Sequence, residues 1–106
     1  MITFEQFKEM DIRIGKVLDV EDIAGADRLY LIAVDLGDET RNIVAGIRPW
    51  YTKEQLLGKN VVVLTNLEPK VIRGIESKGM LLATLNNDKF SILTTDRDIP
   101  VGSKVS

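Results

Sequence analysis

The chain has 106 residues, 44% hydrophobic and 28% charged, which is typical of one globular domain spanning residues 1–106. It contains neither cysteine nor histidine, which excludes disulfides and thiolate ligands and removes the commonest general base and metal ligand. The formal net charge of −2 argues against a protein that binds all polyanions without discrimination.

The charges are unevenly distributed along the chain. Residues 1–40 contain four basic and ten acidic side chains, whereas residues 41–106 contain ten basic and six acidic ones. Part of the surface could therefore be positive on a protein that is acidic overall. Folding could equally interleave the two halves so that no basic patch exists.

The N-terminal ten residues resemble neither a signal peptide nor a membrane anchor. They include Glu5, Lys8 and Glu9 and lack a long apolar core. No stretch of the chain approaches the ~18 apolar residues of a membrane span. We therefore expect a cytoplasmic protein without a membrane segment.

Two capping boxes predict short helices. Thr3 and Gln6 form the first, at the N-terminus, and Thr52 and Gln55 form the second. Gly58 lies where a residue following the end of the second helix is expected. The first helix carries Phe4, which could pack on the domain's own core or contribute to a subunit interface.

The first strand is predicted over residues 11–22. Its apolar residues alternate with charged ones and are expected to share one face: Ile12, Ile14, Leu18 and Val20. Gly15 suggests a bulge or a sharp bend. Such a bend could bring the side chains of Arg13 and Lys16 to the same side of the strand. Alternatively, both side chains could simply be solvated.

Further strands are predicted at residues 29–36, 41–45 and 60–65, followed by a hairpin from 78–85 and 90–95 around residues 86–88. With the second helix between strands three and four, this order indicates an all-β fold. It is the layout of a five-stranded Greek-key barrel of the oligonucleotide-binding (OB) type. An SH3-like barrel or a small sandwich is the alternative.

Trp50 and Tyr51 are the only adjacent aromatic residues in the chain. If exposed, they could stack on nucleic-acid bases. Covering one end of the barrel or the core is the interpretation that we favour.

The most informative segment is residues 66–80, predicted to be a loop between two buried strands. It contains proline, two glycines and a set of cationic, hydroxyl and amide side chains: Asn66, Lys70, Arg73, Ser77 and Lys78. This set suits contact with an anionic polymer better than it suits catalysis. The alternative is an ordinary solvated loop, with Asn66 closing a turn and Met80 filling the core.

Several motifs, in order, resemble the tRNA-binding domain family found at the C-terminus of methionyl-tRNA synthetases and in free-standing tRNA-binding proteins. They are Asp11-Ile12-Arg13-Ile14-Gly15-Lys16-Val17, Ala26-Asp27-Arg28-Leu29-Tyr30, Val44-Ala45-Gly46-Ile47, Asn66-Leu67-Glu68-Pro69-Lys70, and Arg73-Gly74-Ile75-Glu76-Ser77-Lys78-Gly79-Met80-Leu81-Leu82. Many relatives have a His-Pro pair near the point where this chain has Ala24-Gly25. We interpret those residues as turn formers.

The resemblance implies an OB-fold barrel, a homodimer and structure-dependent tRNA binding. The family's RNA-contacting positions correspond here to Asn66, Lys70, Arg73, Ser77 and Met80, with Arg13 and Lys16 as additions. Lys78 would join Lys70 and Arg73 in phosphate contacts. Because the chain starts at Met1 without a synthetase core, it is most similar to a separate archaeal-type beta subunit that supports the catalytic subunit of methionyl-tRNA synthetase.

A cousin of this family provides the alternative function, since it is described as a chaperone-like dimer that binds peptides. The intact Asn66–Lys70 and Ser77–Met80 motifs favour the tRNA-binding branch. An enzyme has little support, because the sequence lacks a phosphate-binding glycine loop and paired carboxylates with an evident role. We expect no cofactor and no metal.

Overall fold

Nine strands and two short helices form the regular structure of residues 1–106 in a computed structural model of the protein. In chain order they are α1 (Phe4–Lys8), β1 (Ile12–Ile23), β2 (Ala26–Asp35), β3 (Thr40–Ala45), α2 (Lys53–Leu56), β4 (Asn60–Leu64), β5 (Lys70–Ile72), β6 (Ile75–Ser77), β7 (Met80–Leu81), β8 (Ala83–Asn86) and β9 (Lys89–Ile92). The prediction of a mainly β protein with two short helices is confirmed. None of the helices has the length and apolarity needed to cross a membrane.

Five strands form one antiparallel sheet in the order β3-β2-β1-β4-β7. Its two edge strands are joined without a continuous ladder. The Lys78 N–H, just before β7, donates to the Asn42 carbonyl at 3.0 Å, and the Val44 N–H donates to Ser77 Oγ at 2.9 Å. The five-stranded sheet is therefore present, but its hydrogen-bonded ladder stays open between β3 and β7.

The main core lies between the inner faces of this curved sheet. Alternate residues of β2 are buried, with Ile32 and Val34 fully inaccessible, because successive side chains of a strand point to opposite faces. Leu56 of α2 and Ile92 of β9 complete the cluster. A second, smaller core of Ile23, Ala26 and Val44 lies apart from it.

The prediction that Ile12, Ile14, Leu18 and Val20 share one face of β1 is wrong, because Val20 belongs to the main core whereas Ile12 and Ile14 are buried outside it. Val17 is 2% exposed and belongs to the core, whereas Leu18 is 50% exposed. The register with β2 shifts between Val17 and Asp19, so Leu18 lies at a bulge and is displaced from the apolar alternation. The bulge was expected at Gly15, which instead pairs regularly with Val61.

Gly15 is required because another side chain occupies the space of its missing Cβ. A Cβ at this position would lie 2.4 Å from Val34 Cγ1 in the core. We expect Gly15→Ala to lower the free energy of unfolding by about 1–3 kcal/mol through overpacking. Urea denaturation would measure this. Gly46→Ala is the matched control, since its Cβ would find its nearest neighbour at 3.8 Å; equal losses in both variants would contradict the assignment.

Both capping boxes form as predicted. Thr3 Oγ1 accepts from the Gln6 N–H and Gln6 Oε1 accepts from the Thr3 N–H, and Thr52 and Gln55 repeat the pattern. Gly58 follows the C-cap of α2 with a φ of +79°. Helix α1 buries none of its residues fully; Phe7 is half-buried and Phe4 is 68% exposed.

The last predicted hairpin is confirmed in shorter form. Strands β8 and β9 pair from Ala83↔Ile92 to Asn86↔Lys89, with Asn87 at the turn in the left-handed region. The prediction placed residues 78–82 in one strand with residues 83–85. In the structure they form the sheet strand β7 and the connections on either side of it.

Candidate nucleic-acid interface

Residues 66–80, predicted as a loop, contain a hairpin formed by β5 and β6. Arg73 and Gly74 form its turn with φ values of +55° and +77°, the backbone pattern of a tight hairpin connection. Ile72 and Ile75, which pair across the turn, pack against the smaller core beside Ile23. This packing holds the hairpin against the end of the β1–β2 pair.

The segment begins at an anchor that uses both polar groups of the Asn66 amide. Asn66 Oδ1 accepts from the Asp11 N–H at 2.9 Å, and Nδ2 donates to the Glu9 carbonyl at 2.7 Å. Thr65 Oγ1 donates to the Asp11 carbonyl at 2.8 Å. Asn66 was predicted to contact RNA, and in this structure its amide joins the start of the segment to residues 9–11.

The segment ends at a second anchor on β3. Ser77 is 5% exposed, and its Oγ accepts the hydrogen bond of the Val44 N–H. Gly79 follows with a φ of +113°, and a Cβ there would lie 3.1 Å from the Leu64 carbonyl oxygen. The start of the segment is thus fixed to residues 9–11 and its end to β3, and Ser77 presents little surface for a ligand.

The exposed cations of the segment lie between these anchors. Lys70 and Arg73 are exposed and form no ion pair. Lys78 pairs with Glu76 at 3.3 Å, but both side chains are more than half exposed, so the pair contributes little and can open. Met80 is 45% exposed, so the alternative that it fills the core is wrong.

Arg13 and Lys16 differ in their surroundings. Arg13 is 27% exposed and donates from Nε and Nη2 to the two Asp11 carboxylate oxygens at 3.0 and 2.9 Å. Lys16 is exposed and lies opposite Asn60, at the far end of β4 from Asn66. Since no bulge intervenes, strand alternation places the two on opposite faces of β1, so no bend directs them together.

Hydrogen bonds from the Arg13 guanidinium lower the pKa of the Asp11 carboxyl below its ordinary value. Because the folded-state pKa is the lower one, this stabilisation is complete above the unfolded value of about 3.9 and is lost as the pH falls through the folded value. We expect Arg13→Gln to lose less stability than the wild type between about pH 6 and pH 2.5. Urea midpoints across this range would measure the difference, and parallel curves would contradict it.

Arg41 is a member of this site that the sequence analysis did not identify. Its Nε donates to Glu39 Oε1 at 2.6 Å, and its Nη1 donates to the Thr65 carbonyl. The hydrogen bond from Arg41 to the Glu39 carboxylate lowers the pKa of Glu39. Arg41 therefore stabilises the first anchor from β3, a long-range contact for which the sequence contains no signal.

An open, mostly polar cleft of about 560 Å³ separates β3 from β6. It is lined by Glu39, Thr40, Arg41, Asn42, Ile75, Glu76 and Lys78. The segment 66–80 contributes Ile75, Glu76 and Lys78 to this lining, whereas Lys70 and Arg73 lie outside it. No cluster of acidic side chains is arranged to hold a metal ion.

The two adjacent aromatic residues have different environments. Tyr51 packs against the main core, its carbonyl accepts from Tyr30 Oη at 2.8 Å, and its own Oη accepts from the Ile92 N–H at 3.1 Å. Trp50 is half-buried and stacks on Phe90 with ring centroids 4.5 Å apart. Tyr51 therefore covers the core as favoured, and Trp50 stays partly accessible.

A family model described as "Putative tRNA binding domain" matches residues 12–104. The chain belongs to the tRNA-binding domain family. It is 48% identical over 105 residues to the methionine–tRNA ligase of Methanococcus vannielii, and 47% identical over 104 residues to that of Pyrococcus furiosus. These matches cover 99% and 98% of this chain but only 16% and 14% of the respective ligases.

Solved structures give the same relationship at the level of the fold. A MetRS related protein from Pyrococcus horikoshii superposes with a TM-score of 0.94 at 33% identity, covering 100% of this chain and 98% of the other. The chaperone CsaA from Bacillus anthracis superposes with a TM-score of 0.90 at 28% identity, covering 100% and 99%. This tRNA-binding domain is thus related to methionyl-tRNA ligases and shares its fold with a chaperone.

Proposed function

We propose that this protein is a non-catalytic module that binds tRNA through its three-dimensional shape and supports a methionyl-tRNA synthetase. The observation that carries the proposal is the β5–β6 hairpin, which presents Lys70 and Arg73 without carboxylate partners while its two ends are anchored. A fixed pair of cations suits the phosphates of a folded RNA, which is recognised by backbone and shape more than by sequence.

The proposal gives the predicted RNA-binding residues two roles, which their burial and hydrogen bonds support. Lys70, Arg73 and Lys78 contact phosphates, and Met80, which is 45% exposed, makes an apolar contact with the RNA. Asn66 and Ser77 position the segment, because their polar atoms already bond backbone groups. Arg13 also positions the segment, because it bonds the carboxylate of Asp11, whose N–H donates to Asn66. Lys16 is a peripheral cation.

The salt dependence of binding follows from the small number of contacts. About 3–4 neutralised phosphates correspond to a log–log slope of roughly −2 to −4, by analogy with DNA. The expected affinity is modest. Association with a synthetase catalytic subunit, or dimerisation, would raise the effective concentration and compensate for it.

A closed OB-type barrel, a homodimer and a cytoplasmic location complete the proposal. The strand order β3-β2-β1-β4-β7 supports the barrel, with the Ser77 and Lys78 hydrogen bonds in place of a final ladder. Exposed apolar side chains at Ile2 (67%) and Phe4 (68%) support the dimer, since such patches mark interaction surfaces. Sedimentation equilibrium would test the dimer, and a monomeric mass at all protein concentrations would contradict it.

A chaperone-like peptide binder is the second candidate, supported by the likeness to CsaA. Gel-shift titrations with bulk tRNA, unstructured RNA of equal length and duplex DNA at two salt concentrations discriminate between the two. We expect a preference for tRNA that weakens with salt. No binding to tRNA, or equal affinity for every polyanion, would reject the tRNA-binding module. An affinity for peptides that rises with their content of apolar residues would favour the chaperone-like alternative.

A further inference from the structure

A second cleft lies outside the segment 66–80, next to the half-buried Trp50. It is an open surface cleft with a volume of about 490 Å³. The lining runs from Arg48 to Gln55 and includes Tyr30. Neither the anchors nor the exposed cations of the hairpin contribute to it.

Two arginines lie near aromatic rings of this cleft, Arg48 within its lining and Arg28 next to it on the Trp50 ring. The Arg28 guanidinium is 5.7 Å from the Trp50 ring centroid, and that of Arg48 is 5.9 Å from the Tyr30 centroid. Phe90 supports the indole with ring planes inclined by 15°. Tyr30 is buried, so Trp50 is the ring of this group that stays partly accessible beside a cation. A cation beside an accessible aromatic ring can bind single-stranded nucleic acid through phosphate contact and base stacking.

The charges around the cleft favour an anionic occupant. Asp22 pairs with Arg48 at 3.7 Å and with Lys53 at 3.2 Å, and this holds both cations at the cleft. Glu54 is the one carboxylate in the lining. Arg28 is exposed and forms no ion pair, so its charge is available to a ligand.

We propose that this cleft binds an unpaired nucleotide of the tRNA. The base would pack against Trp50, and the phosphate would contact Arg28. The proposal rests on the proposed function, because the nucleotide belongs to the RNA that the hairpin binds. It adds a second contact region that recognises a single-stranded part of the RNA. Such a region would distinguish a tRNA from a plain duplex.

Trp50 is the only tryptophan in the chain, so intrinsic fluorescence reports on this cleft alone. The full chain is titrated with bulk tRNA, and binding is followed in parallel by gel shift and by Trp50 emission. We expect the emission to be quenched over the same concentration range as the shift. Arg28→Gln should weaken tRNA binding about three- to tenfold and reduce the salt slope by about one.

Lys59→Gln is the matched control, because it removes one charge from an exposed side chain outside the cleft lining. A gel shift without any change in Trp50 emission would overturn the nucleotide site. Equal affinities for Arg28→Gln and Lys59→Gln would also overturn it. If no gel shift occurs with tRNA, the proposed tRNA-binding function itself fails and the nucleotide site falls with it.

Discussion

Replacing Lys70 and Arg73 together with alanine is expected to weaken tRNA binding by about ten- to a hundredfold at low salt. Both side chains are exposed, form no ion pair and lie on the anchored hairpin. The double variant should also reduce the log–log salt slope by about two, since two phosphate contacts are lost. Gel-shift titrations over a series of salt concentrations would give both values.

The matched control is Lys59→Ala/Arg97→Ala, which removes one lysine and one arginine at exposed positions outside the segment 66–80. Both double variants change the net charge equally, so a general electrostatic effect would weaken binding by similar factors. That outcome would reject the hairpin as the phosphate-binding element. Unchanged urea midpoints in both variants would show that folding is not the cause of any difference.

Ser77→Ala is expected to lower the free energy of unfolding by about 1–3 kcal/mol, because the Val44 N–H would lose its acceptor in a buried site. We also expect weaker tRNA binding with an unchanged salt slope. The serine contacts no phosphate in this proposal, but its loss frees the end of the hairpin from β3. Urea denaturation and salt-dependent gel shifts would separate the two effects.

Ser91→Ala is the control for this variant, since Ser91 is exposed and donates only to the adjacent Ile92 carbonyl. It should change neither stability nor affinity appreciably. If Ser77→Ala instead reduced the salt slope as much as Lys70→Ala does, Ser77 would act close to the RNA backbone and the positioning role would be wrong. Ser77→Thr retains the hydroxyl, and recovery of affinity in that variant would support positioning.

Under the proposed function, the separation of contacting from positioning residues bears on how such a small module would recognise RNA. Few cations are available, so their value depends on being held in a fixed arrangement before the RNA arrives. Asn66 at one end of the segment and Ser77 at the other provide that constraint. Arg41 reinforces it from β3 through the Thr65 carbonyl.

The sequence by itself determined the features that depend on local chemistry. The capping boxes at Thr3 and Thr52 and the hairpin turn near Asn87 form where residue type predicts them, because their hydrogen bonds join near neighbours. The family could also be identified, since its motifs are contiguous. The first strand was placed to within one residue at each end by its run of alternating apolar and charged residues.

Only the tertiary structure decided what the polar residues of the segment 66–80 do. Lys70 and Asn66 are both polar residues of one motif, yet one is unpaired and the other bonds residues more than 50 positions away in the chain. The bulge at Leu18 and the requirement for Gly15 likewise depend on partners across the sheet. Long-range pairing fixes these roles, and a residue's type and spacing do not encode which distant backbone group it will meet.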